Sequence, residues 1–132
     1  MIRVLIVDDD PELRRLICYF YEKAGRVECV GAESLESLCR IYESKGPFAL
    51  AILDINLGAS NFDGVDVYHW LKERNFPGRI VFLTGHARSD PRVQRALEID
   101  GTVLLEKPAG ISALKEIFDS LETSAPSAEE HP

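Results

Sequence analysis

A chain of 132 residues has room for one domain, able to bury about two-thirds of the surface its unfolded form exposes, and none for a second folded module. Its 15 basic residues against 22 acidic ones leave a formal charge of -7, which opposes contact with nucleic-acid phosphate and argues against nucleic-acid binding by this chain alone. No apolar run approaches the about 20 residues of a membrane span, and Ile2-Arg3-Val4 follows the first Met without a signal-peptide pattern, so the expected location is the cytoplasm, with no membrane contact.

Residues 2 to 7 read as a buried strand, Val4-Leu5-Ile6-Val7 running into Asp8-Asp9. Asp10-Pro11 then supplies an N-cap with proline at the first helical position, and Leu13, Leu16, Ile17 and Phe20 recur at helical spacing until Gly25. A short strand over 27–30 precedes a helix capped by Ser34, with Leu35, Leu38, Cys39 and Tyr42 as its apolar stripe and Gly46-Pro47 as its stop. The central strand, 48–53, ends in Asp54-Ile55-Asn56. A long loop follows through Gly58-Ala59-Ser60-Asn61 to Asp63-Gly64, and Val67, Tyr68 and Leu71 then mark a helix ending near Asn75-Phe76-Pro77-Gly78. A fourth strand over 79–83 runs into Thr84. Asp90-Pro91 repeats the cap-plus-proline start for a helix carrying Val93, Ala96 and Leu97. Thr102-Val103-Leu104-Leu105 forms the fifth strand and passes through Glu106 into Lys107-Pro108, before a last helix with the stripe Leu114, Ile117, Phe118 and Leu121. From about residue 123 the chain is too poor in apolar side chains to pack. Residues 1–122 are therefore expected to form the domain, and 123–132 a disordered tail or the start of a linker.

Five strands alternating with five helices imply an α/β fold, a parallel sheet covered on both faces with right-handed crossovers. The carboxyl ends of such strands share one rim, where open α/β sheets bind ligands. Asp8, Asp9, Asp54, Thr84 and Lys107 would meet there. Carboxylates with an ordinary pKa of about 3.9 are all ionised at neutral pH and repel one another. A divalent cation resolves that repulsion, and carboxylate oxygens with a carbonyl and waters suit magnesium. Lys107 offers a compact cation and Thr84 a hydroxyl to phosphoryl oxygens, while Asp54 is placed to attack a phosphoryl group and form an aspartyl phosphate. Taken singly, each residue has a structural explanation: Asp10 is a helix cap, Asp8 or Asp9 could be another capping acid, Thr84 a strand-end hydroxyl and Lys107 a solvated turn lysine. Their joint order at the ends of four strands favours the site.

The three cysteines, Cys18, Cys29 and Cys39, lack a C-x-x-C spacing and read as packed, reduced thiols, with metal ligation or a redox switch as the alternatives. His69, His86 and His131 have no metal-ligand spacing and read as surface or loop histidines. Trp70 lies off its helix stripe and is expected to be partly exposed.

Val7-Asp8-Asp9-Asp10, Leu53-Asp54-Ile55-Asn56, Asp63-Gly64, Leu83-Thr84-Gly85 and Glu106-Lys107-Pro108, in this order, resemble the signature of two-component response-regulator receiver domains of the chemotaxis-regulator type. The resemblance covers residues 2 to about 121. It implies a flavodoxin-like (βα)5 fold with strand order 2-1-3-4-5. It also implies that Asp54 is the phosphoacceptor, that Asp8 and Asp9 hold Mg2+ with Asp54 and the backbone carbonyl of Asn56, and that Thr84 and Lys107 contact the phosphoryl group. Lys107-Pro108 would be a cis peptide. The implied partners are a histidine kinase or histidine phosphotransfer protein as donor and an unidentified output protein or domain; dimerisation on phosphorylation is left open. A signalling domain of this kind is not an enzyme beyond its own phosphorylation and dephosphorylation. Two features depart from the pattern: Leu104 stands where such receivers carry an aromatic switch residue, and the loop from Asp54 to Gly64 is longer than usual and lacks its proline. They favour an alternative, a receiver-like binding module that works without phosphorylation. A further alternative, a Mg-dependent aspartyl-phosphate phosphohydrolase of the haloacid-dehalogenase type, is disfavoured because that family places its nucleophile on the first strand in a D-x-D pattern.

Overall fold

The computed structural model describes residues 2–23, 27–58, 61–107 and 113–124. Strands and helices alternate as β1 (Ile2–Val7), α1 (Pro11–Lys23), β2 (Val27–Ala32), α2 (Leu35–Lys45), β3 (Leu50–Asp54), α3 (Gly64–Glu73), β4 (Arg79–Thr84), α4 (Pro91–Leu97), β5 (Val103–Glu106) and α5 (Ala113–Ser124). The strands form one parallel sheet in the order β2-β1-β3-β4-β5, the flavodoxin-like arrangement expected from the sequence. Among the described residues no helix is long and apolar enough to cross a membrane.

The continuous apolar runs exist because the sheet is buried on both faces. Successive side chains point to opposite sides, so each central strand feeds two cores at once. Leu5, Val7, Ala51, Leu53, Ile80 and Phe82 face the core closed by α2, α3 and α4, through Leu38, Val67, Leu71, Val93 and Ala96. Val4, Ile6, Leu50, Ile52, Val81 and Leu83 face the core closed by α1 and α5, through Ile17, Tyr21, Leu114 and Ile117.

Several boundaries move from their expected places. β2 continues to Ala32 because Gly31 and Ala32 pair with Ile6 and Val7. β3 begins at Leu50 and includes Asp54, which pairs with Leu83, so the carboxylate sits on the last residue of the strand. In α1 the buried row is Ile17 and Tyr21, with Leu13 and Cys18 packed at its margin, whereas Leu16 and Phe20 are 55% and 38% exposed. The i,i+3,i+4 spacing fits two adjacent rows. The row carrying Tyr21 is the inner one because that hydroxyl donates to the Leu114 carbonyl at 2.7 Å, which makes the burial of a polar tip tolerable. Cys39 of α2 is exposed rather than packed; Leu35 and Leu38 fill that side of the core, with Ile41 and Tyr42 at its edge. Trp70 is partly buried against Tyr42, with the Arg74 guanidinium stacked 3.7 Å from its ring centroid. Gly46-Pro47 is a cis peptide. The cis bond expected at Lys107-Pro108 involves Pro108, which lies outside the described residues.

Candidate functional site

At the carboxyl rim of the sheet, Asp8 follows β1, Asp54 ends β3, Thr84 ends β4 and Lys107 follows β5. Local chemistry fixes each one. The Asp10 carboxylate accepts the Glu12 and Leu13 N–H groups at 3.0 and 3.3 Å and so caps α1, as the sequence implies. Asp8 Oδ1 accepts the Asp10 N–H at 2.9 Å, and the Asp8 carbonyl accepts from Arg14 Nη1 at 2.6 Å. Asp54 is set by its strand on one side and by Gly64 on the other: a Cβ at Gly64 would stand 2.3 Å from the Asp54 carbonyl oxygen, so only glycine lets α3 start this close. The Lys107 N–H donates to the Thr84 carbonyl at 2.7 Å, bringing the lysine to the same rim.

Three carboxylates converge. Asp8, Asp9 and Asp54 each offer an oxygen within 4.8 Å of the others, Asp8 and Asp54 being 1% and 4% exposed. Lys107 Nζ lies 3.3 Å from Asp8 Oδ2 and 3.3 Å from Asp54 Oδ2. Burial pushes the Asp54 carboxyl up, and the adjacent Asp8 carboxylate adds to this. Lys107 and the Asn56 N–H only partly offset both, and the group is raised to about 7. Burial works to lower the Lys107 ammonium, but the Asp54 and Asp8 carboxylates outweigh it and hold the group above its ordinary value.

Asp8 Oδ2 is buried and has no hydrogen-bond partner among the described residues, its contact with Lys107 being an ion pair without hydrogen-bond geometry. An orphaned anionic acceptor beside two further carboxylates calls for a cation. The donor set is hard oxygen throughout, so the residues fit magnesium.

The surrounding groups were less visible in the sequence. Asn56 Nδ2 lies 2.8 Å from His86 Nε2, across the mouth of the site, and the His86 N–H donates to Thr84 Oγ1 at 3.0 Å. His86 is thus a loop histidine, as expected, but one that faces the site. Its position two residues after Thr84 was the available signal. Asp63 and Asp66 form a capping box at the start of α3, and Arg95 of α4 reaches across to them, Nη1 lying 2.9 Å from Asp63 Oδ2. Between these helices and the loop after Asn56 lies a polar hollow of about 300 Å³. Asp8, Asp9, Asp54 and Lys107 are brought together as the sequence implies. Thr84 is buried at the end of the neighbouring strand, and its hydroxyl oxygen is engaged by His86.

Comparison with known proteins gives this rim a context. Residues 4–119 match the family model of the response regulator receiver domain. The chain is 34% identical over 109 residues to the sensory transduction protein LytT of Bacillus subtilis, covering 82% of this chain and 43% of LytT. It is 33% identical over 129 residues to the photosynthetic apparatus regulatory protein RegA of Cereibacter sphaeroides, covering 98% of this chain and 67% of RegA. The chain therefore spans less than half the length of some of the curated relatives it matches. Among solved structures, the response regulator TrrA of Thermotoga maritima, in complex with Mg(2+)-BeF, is 29% identical with a TM-score of 0.70, covering 92% of this chain and 99% of TrrA. NtrX of Brucella abortus, in complex with ADP, is 27% identical with a TM-score of 0.77, covering 94% of this chain and 28% of that one. Five parallel strands in receiver order, a carboxylate rim and a family match over most of the length agree: the chain belongs to the response regulator receiver domains of two-component signalling systems.

Proposed function

We propose that this receiver domain accepts a phosphoryl group on Asp54 from the phosphohistidine of a histidine kinase or histidine phosphotransfer protein, and that the charge so added changes its binding to an output partner. The observation that carries the reading is the placement of Asp54, buried at the end of the central strand, 3.3 Å from Lys107 and within one small group of oxygens with Asp8 and Asp9. An Asp54 carboxylate oxygen attacks phosphorus, and the bond from phosphorus to the donor imidazole nitrogen breaks, its electron pair staying on the imidazole. Lys107 neutralises charge on the transferring group. Thr84 Oγ1 already accepts from the His86 N–H, which leaves its hydrogen free to donate to a phosphoryl oxygen. Magnesium, held by Asp8, Asp9, Asp54 and the Asn56 backbone carbonyl, would supply further charge neutralisation there. The chain works as a signalling phosphoprotein rather than a turnover enzyme.

Acetyl phosphate with magnesium should add one phosphoryl group to the parent and none to Asp54→Asn, read by intact mass. An adduct retained in the variant would overturn the assignment. No adduct on either protein would instead favour a receiver-like module that binds without phosphorylation. We further place the receiver unit at residues 1–122 in the cytoplasm, with 123–132 as tail or linker; the match over 4–119 supports the extent, and limited proteolysis should trim the chain near residue 122.

A further inference from the structure

Helix α1 lies along the edge strand β2 with two printed points of contact. At one, the Arg14 side chain crosses Gly31 so closely that a Cβ there would stand 3.0 Å from Arg14 Cδ. At the other, Glu22 Oε2 accepts the Cys29 N–H at 3.1 Å. Cys18 stands midway, one helical turn from each, on the same face as Arg14 and Glu22. Cys29 and Gly31 are two residues apart on a strand and so share the side that faces α1. The register therefore sets Cys18 opposite Cys29, and the two thiols are in side-chain hydrogen-bond contact. Both are partly buried, packed against the core closed by α1 and α5, while Cys39 is exposed on α2 across the sheet.

We propose that Cys18 and Cys29 form a two-electron redox pair, oxidised by hydrogen peroxide to a disulfide that joins α1 to β2. The two members are not equivalent. The hydrogen bond from Cys29 pulls the Cys18 thiol down, with Arg14 one turn away helping against burial and Glu22. Donating that bond, together with burial, pushes Cys29 up. Cys18 is therefore the attacking sulfur and Cys29 the resolving one. The Cys18 thiolate attacks one peroxide oxygen, the O–O bond breaks, and the departing hydroxide takes a proton to become water, leaving a sulfenic acid. The Cys29 sulfur then attacks the Cys18 sulfur, the S–O bond breaks, and the departing oxygen takes the Cys29 proton and leaves as a second water. Two thiols lose two electrons and peroxide gains them. In a reducing compartment such a bond is transient. While present it fixes the turn of α1 that follows Arg14, the residue holding the Asp8 carbonyl. This inference does not rest on phosphorylation of Asp54.

The test is peptide mapping of the full chain under non-reducing conditions, after limited peroxide treatment and blocking of the remaining thiols. A peptide linking Cys18 to Cys29 is expected, removed by dithiothreitol, with a denaturation midpoint that rises on oxidation and falls back on reduction. Cys39→Ser should leave the link unchanged. Cys29→Ser should halt at a Cys18 sulfenic acid, captured by dimedone. Linkage chiefly through Cys39, or Cys18 passing to sulfinic acid in the parent without the linked peptide, would overturn the proposal. If Cys29→Ser does not fold, the map of the parent and of Cys39→Ser decides alone.

Discussion

Asp54 is a carboxyl group in a place that suits a charge only when a cation or a phosphoryl group is near. Burial first, and Asp8 second, raise it from 3.8 to about 7. An unfolded chain sheds that proton near the ordinary value, so between these two limits the folded protein binds more protons than the unfolded one. Stability without magnesium therefore falls as pH climbs from about 4 to about 7, and the loss is complete above that. At about 1.4 kcal/mol per pKa unit the loss is of the order of a few kcal/mol. Asp54→Asn removes the ionisation, so urea unfolding in chelator should find the variant more stable than the parent at about pH 8 by roughly 2–4 kcal/mol. The gap should close at about pH 3.5. An equal gap at both pH values would show that Asp54 titrates normally. The same proton must leave before a cation is bound, so magnesium affinity should weaken roughly tenfold per pH unit below about 7, measured by titration calorimetry. The residues that carry this chemistry were legible because each ends an apolar run. His86 and Arg14 were not, since their partners depend on the path of a loop and on which row of α1 faces inward, and neither leaves a periodic mark.

The start of α3 shows how an element can hold a site. Asp63 Oδ1 accepts the Asp66 N–H at 3.0 Å and Asp66 Oδ2 accepts the Asp63 N–H at 2.8 Å, while Arg95 closes the pair from α4. Gly64, next in the chain, presses on the Asp54 carbonyl. Gly64→Ala inserts a methyl where backbone stands 2.3 Å away, so it should destabilise by ~1–3 kcal/mol or more and disturb Asp54 itself, read as slower phosphorylation by acetyl phosphate. Asp63→Ala should cost ~1 kcal/mol for the lost cap. Arg95→Gln should cost less than about 1 kcal/mol, because its side chain is half exposed and such pairs are weak. Chemical denaturation of the three variants should reproduce that order. The existence and kind of every element were readable from period and caps. Which of two adjacent rows on α1 is buried was not, because the choice between Leu16 and Tyr21 is made by Leu114, a residue far away in sequence.

At the scale of the whole molecule the question is how charge at Asp54 reaches a partner. Leu104 lies on edge strand β5, partly buried against the core that α2, α3 and α4 close. It is smaller than an aromatic ring and has no hydroxyl to pair. A ligand shifts an equilibrium only by its differential affinity for the two states, so a leucine here removes one source of difference between them. The loop after β4 is better connected to the site. His86 links Thr84 to Asn56, and Asp90 caps α4 while pairing with Arg92. If the Thr84 hydroxyl turns toward a phosphoryl group, the strain falls first on its bond to the His86 amide and on the Asn56 contact. Phosphorylation is therefore expected to reorder residues 84–91 and the start of α4, with little repacking around residue 104. Hydrogen exchange with and without beryllofluoride and magnesium should show protection changes concentrated in that loop, and His86→Ala should diminish them. Changes concentrated along residues 102–121 and removed by Leu104→Ala would mean that the leucine works as the aromatic does in similar receivers, and that the signal leaves through β5 and α5 instead.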